Sequence, residues 1–253
     1  MKRCRVLWMC GLAGAIALSG CQQKSQWQTL FDGTDTAAWW GINTQAFPEQ
    51  GWNIDGGTLV RDPSQGKARD IITLKEYGDF ELELEFKMTD GANSGVKYFV
   101  VESLSQGGGG LGLEYQILDD QRHPDAKAGK DGNRTLGSLY DLIPAPADKP
   151  VNPVGQWNTA RIVSRGKHVE HWLNGVKILE FTRDDPAFRQ IVAGSKFKDN
   201  ADFGLAEKGH ILLQDHGDKV YFRNIRIREL KAGVSAGAGV GEVGPRRRVT
   251  GHP

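Results

Sequence analysis

The chain is built from short alternations of apolar and polar residues. The clearest is Phe80-Glu-Leu-Glu-Leu-Glu-Phe-Lys-Met88, with Phe80, Leu82, Leu84, Phe86 and Met88 on one side and Glu81, Glu83, Glu85 and Lys87 on the other. A period of two predicts a half-buried strand, and a solvated outer face accounts for the three glutamates. Similar patterns predict strands at 27–33, 95–101, 113–119, 157–164, 169–174, 177–181 and 203–206, and a hairpin over 52–60 centred on Asp55-Gly56-Gly57. Near the carboxyl end, residues 209–230 read as two strands joined by a tight turn at His216-Gly217-Asp218. In the first, Ile211, Leu213 and Asp215 share a face against Leu212, Gln214 and His216. In the second, Tyr221, Arg223, Ile225 and Ile227 oppose Phe222, Asn224, Arg226 and Arg228. One helix is expected after Asp184 or Asp185, with Pro186 in its first turn and Phe188, Ile191 and Val192 on one face. Turn-formers fill the longer connections at 107–110, 123–134 and 144–153.

Many antiparallel strands and one short helix predict an all-β sandwich of two sheets. The span 27–230, about 200 residues, suffices for a single domain. A sandwich of this kind can curve, and its concave face offers a groove for sugars.

The two ends read differently. Lys2, Arg3 and Arg5 precede an apolar run over 6–19, and Leu18-Ser19-Gly20-Cys21 looks like a bacterial lipobox. The expectation is a signal peptide at 1–20, a lipidated Cys21 and a tether over 21–26, placing the protein in the cell envelope at an outer-membrane or periplasmic face. Cys4 and Cys10 would leave with the signal, so the mature domain would hold no free thiol. That excludes disulfides, cysteine nucleophiles and thiolate metal sites. Thirty-two Lys and Arg against 31 Asp and Glu give a net charge of +1. With no basic stripe, nucleic acid is not an expected partner, and membrane contact is expected through the lipid alone. Residues 231–253, rich in Ala, Gly and Val and carrying Arg246-Arg247-Arg248, read as a disordered tail.

Several strands carry chemistry on their polar faces. Glu114 and Gln116 stand opposite Tyr115 and Ile117, and Asn93 and Lys97 stand opposite Val96 and Tyr98. Parity sends His171 inward with Val169 and Leu173, against His168, Glu170 and Trp172, unless a bulge turns it.

In order along the chain stand Leu30-Phe31-Asp32-Gly33, Trp52 with Asp55-Gly56-Gly57, Tyr77-Gly-Asp-Phe80, Asn93-Ser-Gly95, Glu114-Tyr-Gln-Ile-Leu-Asp119, Gly155-Gln-Trp-Asn158, His171-Trp-Leu-Asn-Gly175, and Gln214-Asp-His-Gly217 with Phe222-Arg-Asn-Ile225. Together they resemble the 3-keto-disaccharide hydrolase family, across nearly all of 27–230. Lys97-Tyr98-Phe99 departs from it, since some members carry an arginine there. The resemblance implies a concanavalin A-like jelly-roll β-sandwich and a sugar already oxidised at C3, with 3-keto-glucoside 1,2-lyase and 3-keto-2-hydroxyglucal hydratase activity. A sugar 3-dehydrogenase would then be a pathway partner.

A ketone at C3 acidifies the C2 proton, so the chemistry needs a base near neutrality and a positive group for the enolate oxygen. His171 and His216 are the candidate bases. Glu114 is a candidate base, or with Asp119 a ligand to a divalent metal ion, the one candidate cofactor. Lys97 and Arg69 are candidates for the oxyanion, Gln116, Asn93 and Gln214 for sugar hydroxyls, and Trp172 or Trp40 for stacking. Two alternatives stand beside this reading. One is a non-catalytic carbohydrate-binding lipoprotein. The other is a conventional glycoside hydrolase pairing Glu114 with Asp119 or Glu170.

Overall fold

The computed structural model describes residues 26–104 and 109–231. The expected signal peptide, Cys21, residues 22–25 and residues 232–253 lie outside them. Along the described chain run β1 (Gln28–Phe31), β2 (Trp39–Gly41), β3 (Trp52–Asp55), β4 (Thr58–Arg61), β5 (Ile71–Thr73), β6 (Phe80–Met88), β7 (Asn93–Val100), β8 (Leu113–Leu118), β9 (Asn158–Arg165), β10 (His168–Leu173) and β11 (Val176–Thr182). Helix α1 (Pro186–Ala193), β12 (His210–Leu213) and β13 (Val220–Glu229) complete it. The strands form two antiparallel sheets. The back sheet has the order β11-β10-β9-β6-β13-β4-β3, with β1 also on β13; the front sheet is β2-β5-β12-β7-β8. This is the two-layer sandwich that the alternations predict, with the jelly-roll fold that the resemblance implies.

Burial explains the layers. The five apolar residues of β6 all sit in the core between the sheets, where they meet Val96 and Tyr98 of β7 and Tyr115 and Ile117 of β8. The outward glutamates of β6 face arginines of β13: Arg223 pairs with Glu85 at 2.6 Å, Arg226 with Glu83, and Arg228 with Glu81 at 2.5 Å. Such rungs are the cross-strand unit of sheet stabilisation. Helix α1 starts where its sequence says it should: the Asp185 side chain accepts from the Ala187 N–H, and Pro186 occupies the first turn.

Three expectations are corrected. Residues 209–230 are not a hairpin. β12 pairs with β5 and β7 in the front sheet, while β13 pairs with β1, β4 and β6 in the back sheet, so residues 214–219 cross from one layer to the other. The parity of β13 changes at a bulge between Arg223 and Arg226. Asn224 takes φ +52° there, which an asparagine accommodates, and Phe222 joins Ile225 and Ile227 in the core. Residues 203–206 form turns rather than a strand; their backbone carbonyls at Phe203, Gly204 and Ala206 instead accept from the guanidinium groups of Arg189 and Arg183.

His171 belongs to the core, as its strand parity indicates, and that removes it as a base. It is 0% exposed, and both ring nitrogens are engaged. A carbonyl can only accept, so Nδ1–H donates to the Gly137 oxygen at 3.0 Å, and Nε2 accepts from the Tyr98 hydroxyl at 2.8 Å. Burial pushes its pKa down to about 4, from the usual 6.5. Between those values the unfolded chain binds a proton that the folded chain refuses. The stability tied to neutral His171 is therefore full above pH 6.5 and is lost as pH falls toward 4, by about 3 kcal/mol over the whole window. Urea titrations across that window should show this slope, and His171→Gln should flatten it. The same variant should keep its turnover; loss of turnover with the fold intact would return His171 to the chemistry.

Candidate active site

The register of three front-sheet strands assembles the site. Lys97 of β7 lies directly opposite Glu114 of β8 on one side and Leu212 of β12 on the other. One step along, Gly95 lies opposite Gln116, and the Gln214 N–H donates to the Gly95 carbonyl at 3.0 Å. The outward faces of these two rows thus carry Leu212, Lys97 and Glu114, then Gln214, Gly95 and Gln116. Gly95 is the gap that lets the others meet: a Cβ there would stand 2.8 Å from Glu114 Oε1 and 3.0 Å from the Gln214 amide.

The amides orient according to their partners. Gln116 turns its NH2 to Glu114 Oε1 at 3.1 Å and to the Ser94 carbonyl at 3.0 Å. Gln214 turns its NH2 to the same Glu114 oxygen at 3.3 Å and its oxygen to Lys97 Nζ at 3.2 Å. His216 Nε2 lies 3.0 Å from both amide atoms of Gln214, so it can accept from one when neutral or donate to the other when protonated. Lys97 Nζ also donates to the Gly110 carbonyl at 3.0 Å and faces Glu114 Oε2 at 3.7 Å.

Lys97, Glu114, Gln214 and His216 line one cavity of about 540 Å³ with Arg69, Asp70, Tyr140, Lys196 and Asp215, a volume suited to a small ligand; Gln116 lies buried beneath it. Its electrostatics are uneven. Burial raises the Glu114 pKa, with Asp70 and Asp125 adding to the rise and Lys97 and Lys196 opposing it. Burial lowers the His216 pKa, helped by Lys97 and opposed by Asp215, Asp218 and Asp125. Asp70 is also raised by burial, although its carboxylate accepts from the Asp215 N–H at 2.8 Å and the Gly110 N–H at 3.4 Å. Asp215 is committed to Arg61, 2.5 Å from the Arg61 Nε, and to the Gly217 N–H at 2.9 Å.

Comparison with known proteins identifies the family. The model of the 3-keto-alpha-glucoside-1,2-lyase-like domain matches residues 26–228. The chain belongs to that family. A 3-keto-disaccharide hydrolase of Bacteroides thetaiotaomicron is 35% identical over 227 residues, covering 80% of this chain and 78% of that protein. Two crystal structures of putative glycosyl hydrolases from Parabacteroides distasonis share the fold. One has a TM-score of 0.72 at 30% identity, covering 81% of this chain and 94% of the other. The second has 0.60 at 32%, covering 81% and 100%. The protein is an enzyme of the carbohydrate hydrolase class, acting on glycosidic bonds.

Within this 3-keto-glucoside lyase-like domain, Glu114, Gln116, Lys97, Gln214, His216 and Arg69 come to the front-sheet face, with Asn93 beside Gln116 at 3.4 Å. Trp172 does not. It lies on the outer face of the back sheet, donates to Glu170 at 2.8 Å and stacks under Arg161, whose guanidinium is 3.8 Å from the ring. Asp119 is also elsewhere, lining a separate cavity with Arg122 and Leu136. Its carboxylate accepts from the N–H groups of Gly91, Gln121 and Arg122, at 2.9, 3.1 and 3.3 Å. Glu114 and Asp119 therefore do not form a metal pair. Nor does the donor set around Glu114 fit a divalent ion, since two amide N–H donors and an ammonium face its oxygens where a cation would need acceptors.

Sequence reasoning missed Asp70, Tyr140, Lys196 and Asp215. Strand parity sets Asp215 on one face with Ile211 and Leu213, but β12 ends at Leu213. Tyr140 and Lys196 come from connections with no period to read. Gly95 offered the one usable signal, a glycine between alternating strand residues. Gly95→Ala should fold, since its backbone asks for no left-handed conformation, yet should lower kcat/KM at least tenfold by displacing Glu114 and Gln214. Steady-state kinetics beside a thermal melt would check both halves.

Proposed function

We propose that this enzyme cleaves 3-keto-glycosides by elimination and rehydration rather than by direct displacement at C1. The observation that carries this reading is the Gln214 amide, within 3.3 Å of an imidazole, a carboxyl and an ammonium at once. A general base, a proton-holding acid and a positive charge thus share one cavity, which is what an enolising reaction asks for.

His216 takes the C2 proton. The C–H electron pair becomes the C2=C3 bond, and the negative charge passes to O3. When the carbonyl re-forms, that pair shifts to C1=C2 and the C1–oxygen bond breaks. The leaving oxygen receives a proton from Glu114, whose burial favours the protonated form. Glu114 Oε2, the oxygen without an amide donor, is the site for that proton. Water then adds at C1 as Glu114 accepts its proton, the electrons return to O3, and His216 restores the proton at C2. The sum is hydrolysis of the glycoside, with both residues back in their starting states.

A conventional two-carboxyl mechanism has less support. The other acids of the cavity are Asp70, engaged by two backbone N–H groups, and Asp215, held by Arg61. We propose that no divalent metal is needed. We also propose that Cys21 carries a lipid anchor and that a sugar 3-dehydrogenase supplies the substrate.

A C2-deuterated 3-keto-glucoside should be cleaved with a primary isotope effect, while the unoxidised glucoside should survive and chelator should leave the rate unchanged. His216→Ala and Glu114→Gln should each lower kcat/KM by roughly a hundredfold or more. Because His216 must be neutral and its pKa is depressed, the rate should hold as pH falls through 6.5 and decline only below it. Cleavage of the plain glucoside at an equal rate would reverse the assignment. Cys21→Ser, expressed in a bacterium with lipoprotein-processing machinery, should move the enzyme from the membrane fraction to the soluble one.

A further inference from the structure

The enolate needs a cation with hydrogen-bond donors to spare, and Lys97 has spent two of its three. An ammonium has three N–H bonds. Those of Lys97 face the Gly110 carbonyl at 3.0 Å, the Gln214 oxygen at 3.2 Å and Glu114 Oε2 at 3.7 Å. Two acceptors are within hydrogen-bond distance, and the third N–H is directed at the Glu114 carboxyl, so Lys97 has little left for a substrate oxygen. Arg69 lines the cavity but is tied to its wall: Nη1 donates to the Ile42 carbonyl at 3.1 Å, and its stem lies against Gly41, with Cδ 3.0 Å from where a Cβ would stand.

Lys196 differs from both. Its ammonium lies over the Tyr140 ring at 4.0 Å and near the Phe197 ring at 5.1 Å. Among the described residues, no carboxylate ion-pairs with it and no protein acceptor takes its N–H bonds. Ring faces attract the charge without consuming the donors, so the three N–H bonds remain available in the cavity that Glu114 lines.

Its position is built. The backbone N–H of Lys196 donates to the Asp141 carboxylate at 3.3 Å, and the neighbouring Phe197 stacks on Phe203 at 3.9 Å. Tyr140 is fixed in turn, its hydroxyl donating to Asp125 at 2.8 Å, while Arg134 joins Asp125 to Asp141. A network of side chains on the 125–141 connection thus props an aromatic platform under one lysine. Its lowered pKa has burial as the leading cause, opposed by Glu114 and Asp141, which fits an ammonium held partly out of water.

We propose that Lys196 is a catalytic residue, whose ammonium donates to O3 of the 3-keto sugar and stabilises the enolate formed when C2 loses its proton. Lys97 is then a positioning residue that orients Glu114 and Gln214. This rests on the elimination reading above. It adds no reactant: the proton goes to His216, the electron pair to O3, and Lys196 keeps its protons throughout.

The test is exchange of the C2 hydrogen with deuterated water, followed by NMR on a 3-keto-glucoside with the wild-type enzyme, Lys196→Gln and Lys196→Arg. Wild type should exchange. Lys196→Gln should slow both exchange and turnover by a hundredfold or more. Lys196→Arg, which keeps the charge, should recover at least a tenth of the wild-type rate. Dissociation constants for the unoxidised glucoside, which has no C3 carbonyl, should change less than threefold in both variants. Wild-type cleavage without C2 chemistry would overturn the elimination reading itself. Normal wild-type exchange with Lys196→Gln unimpaired would overturn the role of Lys196 alone. Equal losses in Lys196→Gln and Lys196→Arg, with weakened glucoside binding, would also overturn it by making the lysine a structural support.

Discussion

The site depends on keeping a carboxyl group out of water. Glu114 is buried on the outward face of β8, at the end of the front sheet, where an isolated carboxylate would be costly. Two amides and an ammonium meet that cost together: Lys97 lies across from the acid, Gln116 two residues along the same strand, and Gln214 reaches it over Gly95. Lys97 and Gln116 are strand residues, and the Gln214 N–H is tied to the Gly95 carbonyl just past the end of β12, so their spacing is set by the backbone ladder. Removing any one would leave a buried polar atom without its partner, so the arrangement behaves as a unit. The space for it comes from Gly95, the one position in the cluster with no side chain.

The second constraint is the connection between layers. Residues 214–219 leave the front sheet and enter the back sheet, and the chain is held on both sides of the passage. Asp215 is held by Arg61 and Asp70, and Lys219 pairs with Asp62 at 2.6 Å. The crossing places His216 at the mouth of the cavity while Gln214 stays in the sheet below. A hairpin turn in the same place would have kept the histidine with the strand edge. The same tertiary act that closes the sandwich thus sets the distance between His216 and Glu114.

The cavity is therefore of mixed construction. Its floor is a β-ladder, rigid and specified by pairing; its walls are connections held by aromatic stacking and by Asp125, Arg134 and Asp141. This division suits an enzyme that must hold its reacting groups still and yet accept a sugar through an open side.

What the sequence determined by itself was the local alternation and the family. Strict period two in β6 and the polar faces of β7 and β8 were enough for the sandwich and for Glu114, Gln116 and Lys97. Parity also indicated an inward His171, since a strand residue's face is a local property. What only the tertiary structure decided was everything that depends on partners distant in sequence. The split of β12 and β13 between sheets, the bulge at Asn224 and the commitment of Asp119 to its turn all follow from long-range pairing and burial. Lys196 and Tyr140 were illegible for the same reason. They sit on irregular connections separated by more than fifty residues, and only the packing of the whole domain brings them over Glu114.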